Sequence, residues 1–280
     1  MSDWISNPAE LAARLAVAPP RVGLDTEFVR ERTWWPKLAL VQVALGDGGI
    51  LLVDALAPGM NEALAAMLVD PAVTKVMHSA SEDLVAFKHA CGVVPAPLFD
   101  TQVAATLAGV AAGAGYQRLV QDMLGVSLPK GETRSDWMRR PLSASQLDYA
   151  ADDVRYLFAL HDGLEARLQS LGREAWLAED CARMVDNARN DELEPWPHLA
   201  LRTAQFLDRD GQLRLLRLLR WRDAHARRAD KPRSWILDNE LAVALARHPP
   251  ADRSALQQQL ESTPKAPRSL GDAIWEALHA

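Results

Sequence analysis

Three apolar runs of strand length open the pattern along the chain: Val22–Asp25, Leu38–Leu45 and Ile50–Asp54. The last two flank the glycine-rich turn "GDGG", which predicts a hairpin. "NEALAAMLVD" then repeats apolar residues at helical spacing. "TKVMHSASEDLVAFKHACG" predicts a short strand running into a helix that stops at Gly92, and "PLFDTQVAATLAG" predicts the same pairing again. The longest regular piece is "SASQLDYAADDVRYLFALHDGLEARLQSLG". With Ser143 as N-cap and Gly172 just past the C-terminus, it predicts one helix of about eight turns. Antiparallel strands followed by strand–helix alternation predict an α/β domain, a mixed sheet with helices packed on it. Beyond Gly172 the pattern is helical throughout. The polar, proline-bearing stretch at 186–199 predicts a boundary between a domain at 1–195 and a small all-α domain at 200–280.

Composition bounds this picture. The 280 residues are 49% hydrophobic, enough for a sizeable core and against wholesale disorder. Cys91 and Cys181 make neither a disulfide framework nor a zinc site. The N-terminus lacks the basic start and apolar run of a signal peptide, so a soluble, cytoplasmic protein is the expectation, and a monomer is expected as well. A net charge of −6 argues at first against nucleic acid as a partner. Its distribution argues the other way. Residues 1–200 hold 17 basic against 27 acidic side chains, while 201–235 hold 10 against 4. A compact basic segment on an acidic chain suggests phosphate binding.

Asp25 and Glu27 stand at the end of the first apolar run, and side chains at i and i+2 of a strand point the same way. Two acids so placed repel unless a cation or a donor sits between them. Alone, "DTE" also reads as a strand-ending turn. Asp83 lies one turn into the helix after "VMHSAS", where a lone acid is commonly a surface residue favoured by the helix dipole. In "LDYAADDVRYL", Tyr149 and Asp153 are i and i+4, as are Asp148 and Asp152. The apolar stripe Leu147, Ala151, Val154, Phe158 lies roughly 130° from both Asp152 and Asp153, on opposite sides, so the helical period alone does not choose between the pairs. Together D-x-E, D and Y-x3-D form a set suited to phosphodiester hydrolysis. Two divalent ions held by carboxylates activate a water and stabilise the attacking and leaving oxygens.

"GLDTEFVRERTWWPKLALVQVA", "MHSASEDL" and "SDWMRRPLSASQLDYAADDVRYL" resemble the three exonuclease motifs of the ribonuclease D family, within the DEDD 3′→5′ exonucleases that carry tyrosine in the third motif. The resemblance covers roughly residues 1–170. It implies a ribonuclease H-like mixed sheet flanked by helices and a two-metal mechanism with Mg²⁺, or Mn²⁺. By motif, Asp25, Glu27, Asp83 and Asp153 are the metal ligands, and Tyr149 orients the attacking water. Thr26, Gln42, His78, Ser79 and Arg140 are candidate substrate contacts. Trp34 and Trp35 are able to stack bases, but core packing suits them better. "LLRLLRWRDAHARRADKPRSWILDNELAVALARHPP" is similar to the helicase-and-RNase-D C-terminal (HRDC) domain, with Leu215, Leu218 and Leu219 inside and Arg214, Arg217, Arg220 and Arg222 around them. "STPKAPRSLGD" lacks the glycine-rich turn common in such domains, and one copy is legible where some members carry two. The resemblance thus implies an exoribonuclease that releases 5′-mononucleotides from RNA 3′ ends, tRNA precursors first. A proofreading-type DNA exonuclease and an idle RNA-binding protein are the rivals.

Overall fold

In the computed structural model the described residues are 2–16, 19–129, 131–132, 135–190 and 192–280. The sheet is built around β2 (Arg21–Val29), where Val22 and Leu24 are fully buried on one face and Gly23 turns to the other. A side chain at Gly23 would come within 3.2 Å of Leu157, so glycine is what lets the helix there approach the strand. β2 runs four residues past Asp25, so Asp25 and Glu27 lie inside the strand and not in a turn that ends it.

Six strands are ordered β1-β4-β3-β2-β5-β6, from β1 (Ser2–Ile5) through β3 (Lys37–Ala44), β4 (Ile50–Asp54) and β5 (Thr74–Met77) to β6 (Leu98–Asp100). β2, β3 and β4 pair antiparallel, and β1, β5 and β6 join parallel, which makes the mixed sheet the sequence predicts. Helices α1 (Pro8–Arg14), α2 (Met60–Val69) and α3 (Ser81–Cys91) cover one face with Leu11, Leu64, Leu84 and Phe87. α4 (Thr101–Leu107), α5 (Tyr116–Leu124), α6 (Ala144–Arg155) and α7 (Leu157–Leu171) carry the core of the other. α8 (Glu174–Asn190) follows, and its Cys181 and Val185 join one core each. β1, α1 and α5 have no counterpart in the sequence expectation. β1 is a four-residue edge strand whose Trp4 is more than a third exposed, too short for a period to show.

The single helix expected over 143–172 is two. The Tyr116 hydroxyl donates to the carbonyl of Asp152 (3.0 Å) and accepts from the amide of Tyr156 (3.1 Å). It enters the i→i−4 ladder and breaks the helix at Tyr156, between α6 and α7. The expected Ser143 cap is present as a full capping box with Gln146.

Contacts divide the chain into two compact units: residues 1–29 with 36–191, and residues 30–35 with 192–280. The second unit is helical. α9 (Arg209–Ala229) buries Leu215, Leu218 and Leu219, packed with α11 (Asn239–Arg247), α12 (Arg253–Ser262) and α13 (Gly271–His279) through Leu245, Leu260 and Ile274. The short α10 (Arg233–Ile236) lies between α9 and α11 in the chain. The 30–35 loop is tied to this unit, where the amides of Trp34 and Trp35 both donate to Asp230 (3.0 and 3.1 Å). Trp34 is buried with Ala226 and Ile236, as core packing requires.

Candidate active site

Alternation along β2 puts Asp25 and Glu27 on the face of Gly23, the face covered by α6 and α7. Tyr149 and Asp153 come to the same place from α6, one turn apart and joined by a side-chain hydrogen bond. Asp152, the alternative acid, turns to an exposed ion pair with Arg155 (2.8 Å). Thr26 points to the opposite face of β2, and its hydroxyl donates to the carboxylate of buried Asp83 in the first turn of α3. The sheet thus presents acids from β2, α3 and α6 to one another.

Their electrostatics show how close they are. Desolvation, then Asp83, Asp153 and Glu27 in turn, hold Asp25 well above the usual carboxylate range. Desolvation raises Glu27 to about 8, with Asp153 and Asp83 adding to it. Asp83 and Asp153 are each pushed up to about 7, mainly by desolvation, against the hydrogen bonds from Thr26 and Tyr149. Burial and the same acids raise Tyr149 above its ordinary value, so its hydroxyl keeps its proton. Among the described residues no cation is among the influences on Asp25 or Glu27. A buried all-oxygen set of four acids fits hard divalent cations. Among the described residues no three of these acids bring ligand atoms within 4.8 Å of one another, so they form no closed single-ion cage. The one cluster that does meet that distance, His161, Asp162 and Glu165, already has Arg21 donating to Asp162.

The candidate substrate contacts fare differently. Gln42 lies directly across from Asp25 in the β2–β3 register, but it is fully buried and neither amide atom has a partner. It offers no surface to a nucleotide and is instead a neighbour beneath the acid. Arg140 has no donor left for a phosphate. Its five N–H groups go to Asp54 (3.1 and 2.6 Å) and to the carbonyls of Trp137, Arg139 and Ala39. Both ring nitrogens of His78 are engaged, with Thr101 (2.9 Å) and the Ala114 carbonyl (3.1 Å). Ser79 is held in the left-handed region (φ 57°), its amide donating to Asp100. Thr26 has its side chain committed to Asp83, while the contact expected of it is through its backbone.

Sequence reasoning missed four residues here. Asp100 is fully buried and accepts from the amides of Ser79, Ala80, Gln102 and Val103, which sets the strand-to-helix turn that carries Asp83. Its signal was a capping aspartate before "TQVAATL". Tyr116 ends α6 three residues after Asp153. Gly131 and Trp137 bracket the Tyr149 ring: any Cβ at Gly131 would collide with it, and the Trp137 ring lies 6.2 Å away. No period marks a contact of that kind.

Residues 2–169 match the 3′–5′ exonuclease family and residues 212–278 the HRDC domain. A ribonuclease D of Xanthomonas oryzae pv. oryzae is 64% identical over 280 residues, all of this chain and 77% of that protein. The chain belongs to the ribonuclease D family. It is a 3′–5′ exoribonuclease. The crystal structure of Escherichia coli RNase D, described as an exoribonuclease involved in structured RNA processing, superposes with a TM-score of 0.82 at 31% identity, over all of this chain and 74% of that one. Brucella melitensis NrnC with bound Mg²⁺ matches 68% of the chain and 90% of its own length, with a TM-score of 0.56 at 29% identity. The mixed sheet with its helices and the helical C-terminal region are those of the ribonuclease D family.

The basic helix reads differently in the structure than in the sequence. Arg222 is buried against Asp223, Arg214 donates to the Ala246 carbonyl, and Arg217 to the carbonyls of Leu278 and Ala280. Arg220 donates to the Pro195 carbonyl and stacks over Trp196. Arg214, Arg217 and Arg220 thus spend donors on carbonyls of the unit and Arg222 on a carboxylate, so the four do not form a displayed basic stripe.

Proposed function

We propose that Asp25, Glu27, Asp83 and Asp153 hold two divalent ions, Mg²⁺ or Mn²⁺, and that Tyr149 orients the water that attacks the terminal phosphodiester of RNA. The observation that carries this is the convergence of four mutually destabilising acids and one tyrosine from β2, α3 and α6. When bound, the ions supply an activated water and stabilise charge on the attacking and leaving oxygens. The protein's part is placement. β2 sets Asp25 and Glu27 in register, Thr26 fixes the Asp83 carboxylate, and Asp153 fixes the Tyr149 hydroxyl. Because Tyr149 keeps its proton and gives it to Asp153 in a hydrogen bond, its oxygen orients the water by accepting from it and does not act as a base. Gln42, beneath Asp25, supports the strand position of that acid.

The substrates are the 3′ ends of structured RNAs, tRNA precursors first, released as 5′-mononucleotides. The related E. coli enzyme's involvement in structured RNA processing supports this. The exonuclease part (1–195) performs the chemistry and the HRDC part (200–280) adds RNA affinity. The chain acts as a monomer in the cytoplasm; both cysteines are free thiols, and no helix among the described residues is long and apolar enough to cross a membrane. Calorimetric titration of chelator-treated protein with Mg²⁺ or Mn²⁺ tests the assignment. Two sites are expected, with at least one lost in Glu27→Gln and in Asp153→Asn. Undiminished binding in both variants overturns it.

A further inference from the structure

We propose that a cavity inside the C-terminal unit is a nucleotide pocket, which holds one nucleotide of the RNA strand upstream of the end being hydrolysed. The inference depends on RNA as the substrate and not on the roles given to the four acids.

The cavity has a volume of about 510 Å³, and every wall belongs to the unit of residues 30–35 and 192–280. That volume is within the usual range for small-ligand sites. Three guanidinium groups line it, those of Arg30, Arg222 and Arg233, against two carboxylates, Glu194 and Asp223. Asp223 is spent between two of the arginines. It accepts from Arg222 Nε at 2.9 Å and faces Arg233 Nε at 3.2 Å. Arg222 is 5% exposed and also donates from Nη1 to the Asn239 side chain (2.7 Å), so its plane is fixed on two edges. Arg233 is half exposed and lies over the buried Trp34 ring, 4.5 Å from the centroid. The indole is itself held by the Trp34 amide on Asp230.

A buried arginine–aspartate pair adds little net stability over an apolar filling of the same space. What it provides is a planar, always-charged donor whose orientation is set before the ligand arrives, which is the requirement for gripping phosphate. Arg233, backed by Trp34 with its outer side toward solvent, is a platform on which a base of any identity stacks. Asn239 and Ser234 lie in the same wall with polar atoms for a base edge. One phosphate and one base are therefore matched side by side. A free mononucleotide has the same chemistry, and the experiment separates the two sources.

The test uses the full chain in EDTA, where hydrolysis is stopped. Binding of a fluorescent 12-residue oligoadenylate is followed by anisotropy across a salt series, with 5′-AMP as competitor. We expect Arg233→Ala to weaken oligonucleotide binding about 10-fold and to flatten the slope of log affinity against log salt by about 0.7, one phosphate. Arg233→Lys should keep the slope and still lose affinity, because the stacking plane is gone. Ser234→Glu, at an exposed position of the wall, should weaken binding comparably without touching the Asp223 pair. Because the measurement is made in EDTA, without metal or hydrolysis, its outcome does not depend on the acid assignment, and failure of this proposal is distinguishable from failure of that assignment. Unchanged affinity and slope in both Arg233→Ala and Ser234→Glu, with unaltered melting temperatures, overturns the proposal. Tight binding of 5′-AMP alone, lost in Arg233→Ala while the oligonucleotide is unaffected, overturns it equally.

Discussion

Replacing Gly131 by alanine should damage catalysis from outside the acid cluster. A Cβ at Gly131 would stand 3.0 Å from Tyr149 Cε2, 3.3 Å from Cγ and closer still to Cδ2, where ordinary contacts begin near 3.4 Å. Either the loop or the ring must give. The loop is tied to α6 itself, since Glu132 accepts from the Ser145 hydroxyl at 2.6 Å and from Ser135. Trp137, 2% exposed, closes on the ring at 6.2 Å. The ring therefore tilts, and its hydroxyl moves by about 1 Å, a misplacement that costs on the order of 10²-fold in rate. That is about 2.7 kcal/mol of transition-state stabilisation. The assay is single-turnover hydrolysis of a 5′-labelled RNA in saturating Mg²⁺, with kcat and KM separated. We expect Gly131→Ala to lower kcat about 10²-fold with KM nearly unchanged, and Tyr149→Phe to lower it by about 10²–10⁴-fold. In the Tyr149→Phe background the alanine should cost nothing further. A wild-type kcat in Gly131→Ala, or an equal loss in the phenylalanine background, refutes the reasoning.

In the metal-free protein, a carboxyl whose folded pKa is raised stabilises the fold below its unfolded pKa, and that contribution is lost as pH rises through the folded value. For Glu27 the window runs from 4.5 to about 8. Glu27→Gln in EDTA should therefore melt with the wild type at pH 4.5 and above it at pH 9, by roughly 2–4 kcal/mol; equal melting at both pH values contradicts this. Arg140→Ala removes five hydrogen bonds and strands Asp54, so it should cost about 3 kcal/mol of stability and leave KM within about threefold. A raised KM with an unchanged melting temperature would restore Arg140 as a phosphate contact. Arg217→Ala uncaps the carbonyls of Leu278 and Ala280, and should lower stability by about 1 kcal/mol while the salt dependence of RNA binding stays as it was; a flatter slope would show that its charge faces RNA.

What the sequence made legible follows from which features are periodic or local. Strand alternation placed Asp25 and Glu27 together, whereas Asp153 was chosen over Asp152 by the third motif and not by the helical period; the structure turns Asp152 to Arg155. The hairpin, the Gly92 stop and the Ser143 cap are short-range signals, and all three are present. The break at Tyr156 was not legible, because its cause is a hydroxyl 40 residues away. Nor was the fate of Arg140 and the α9 arginines: a guanidinium that caps a distant carbonyl looks, in sequence, like one that awaits a phosphate. The basic segment at 201–235 shows the same limit, since net charge records how many cations there are and not where they point.

Whether the acids of β2, α3 and α6 form one hydrolytic centre is read directly from RNA hydrolysis by Asp25→Asn and Asp153→Asn in saturating Mg²⁺, beside circular dichroism of the same samples. If they do, both variants are folded and shorten a 5′-labelled RNA at least ~10³-fold more slowly than the wild type. Wild-type ladders from either variant would contradict a single centre.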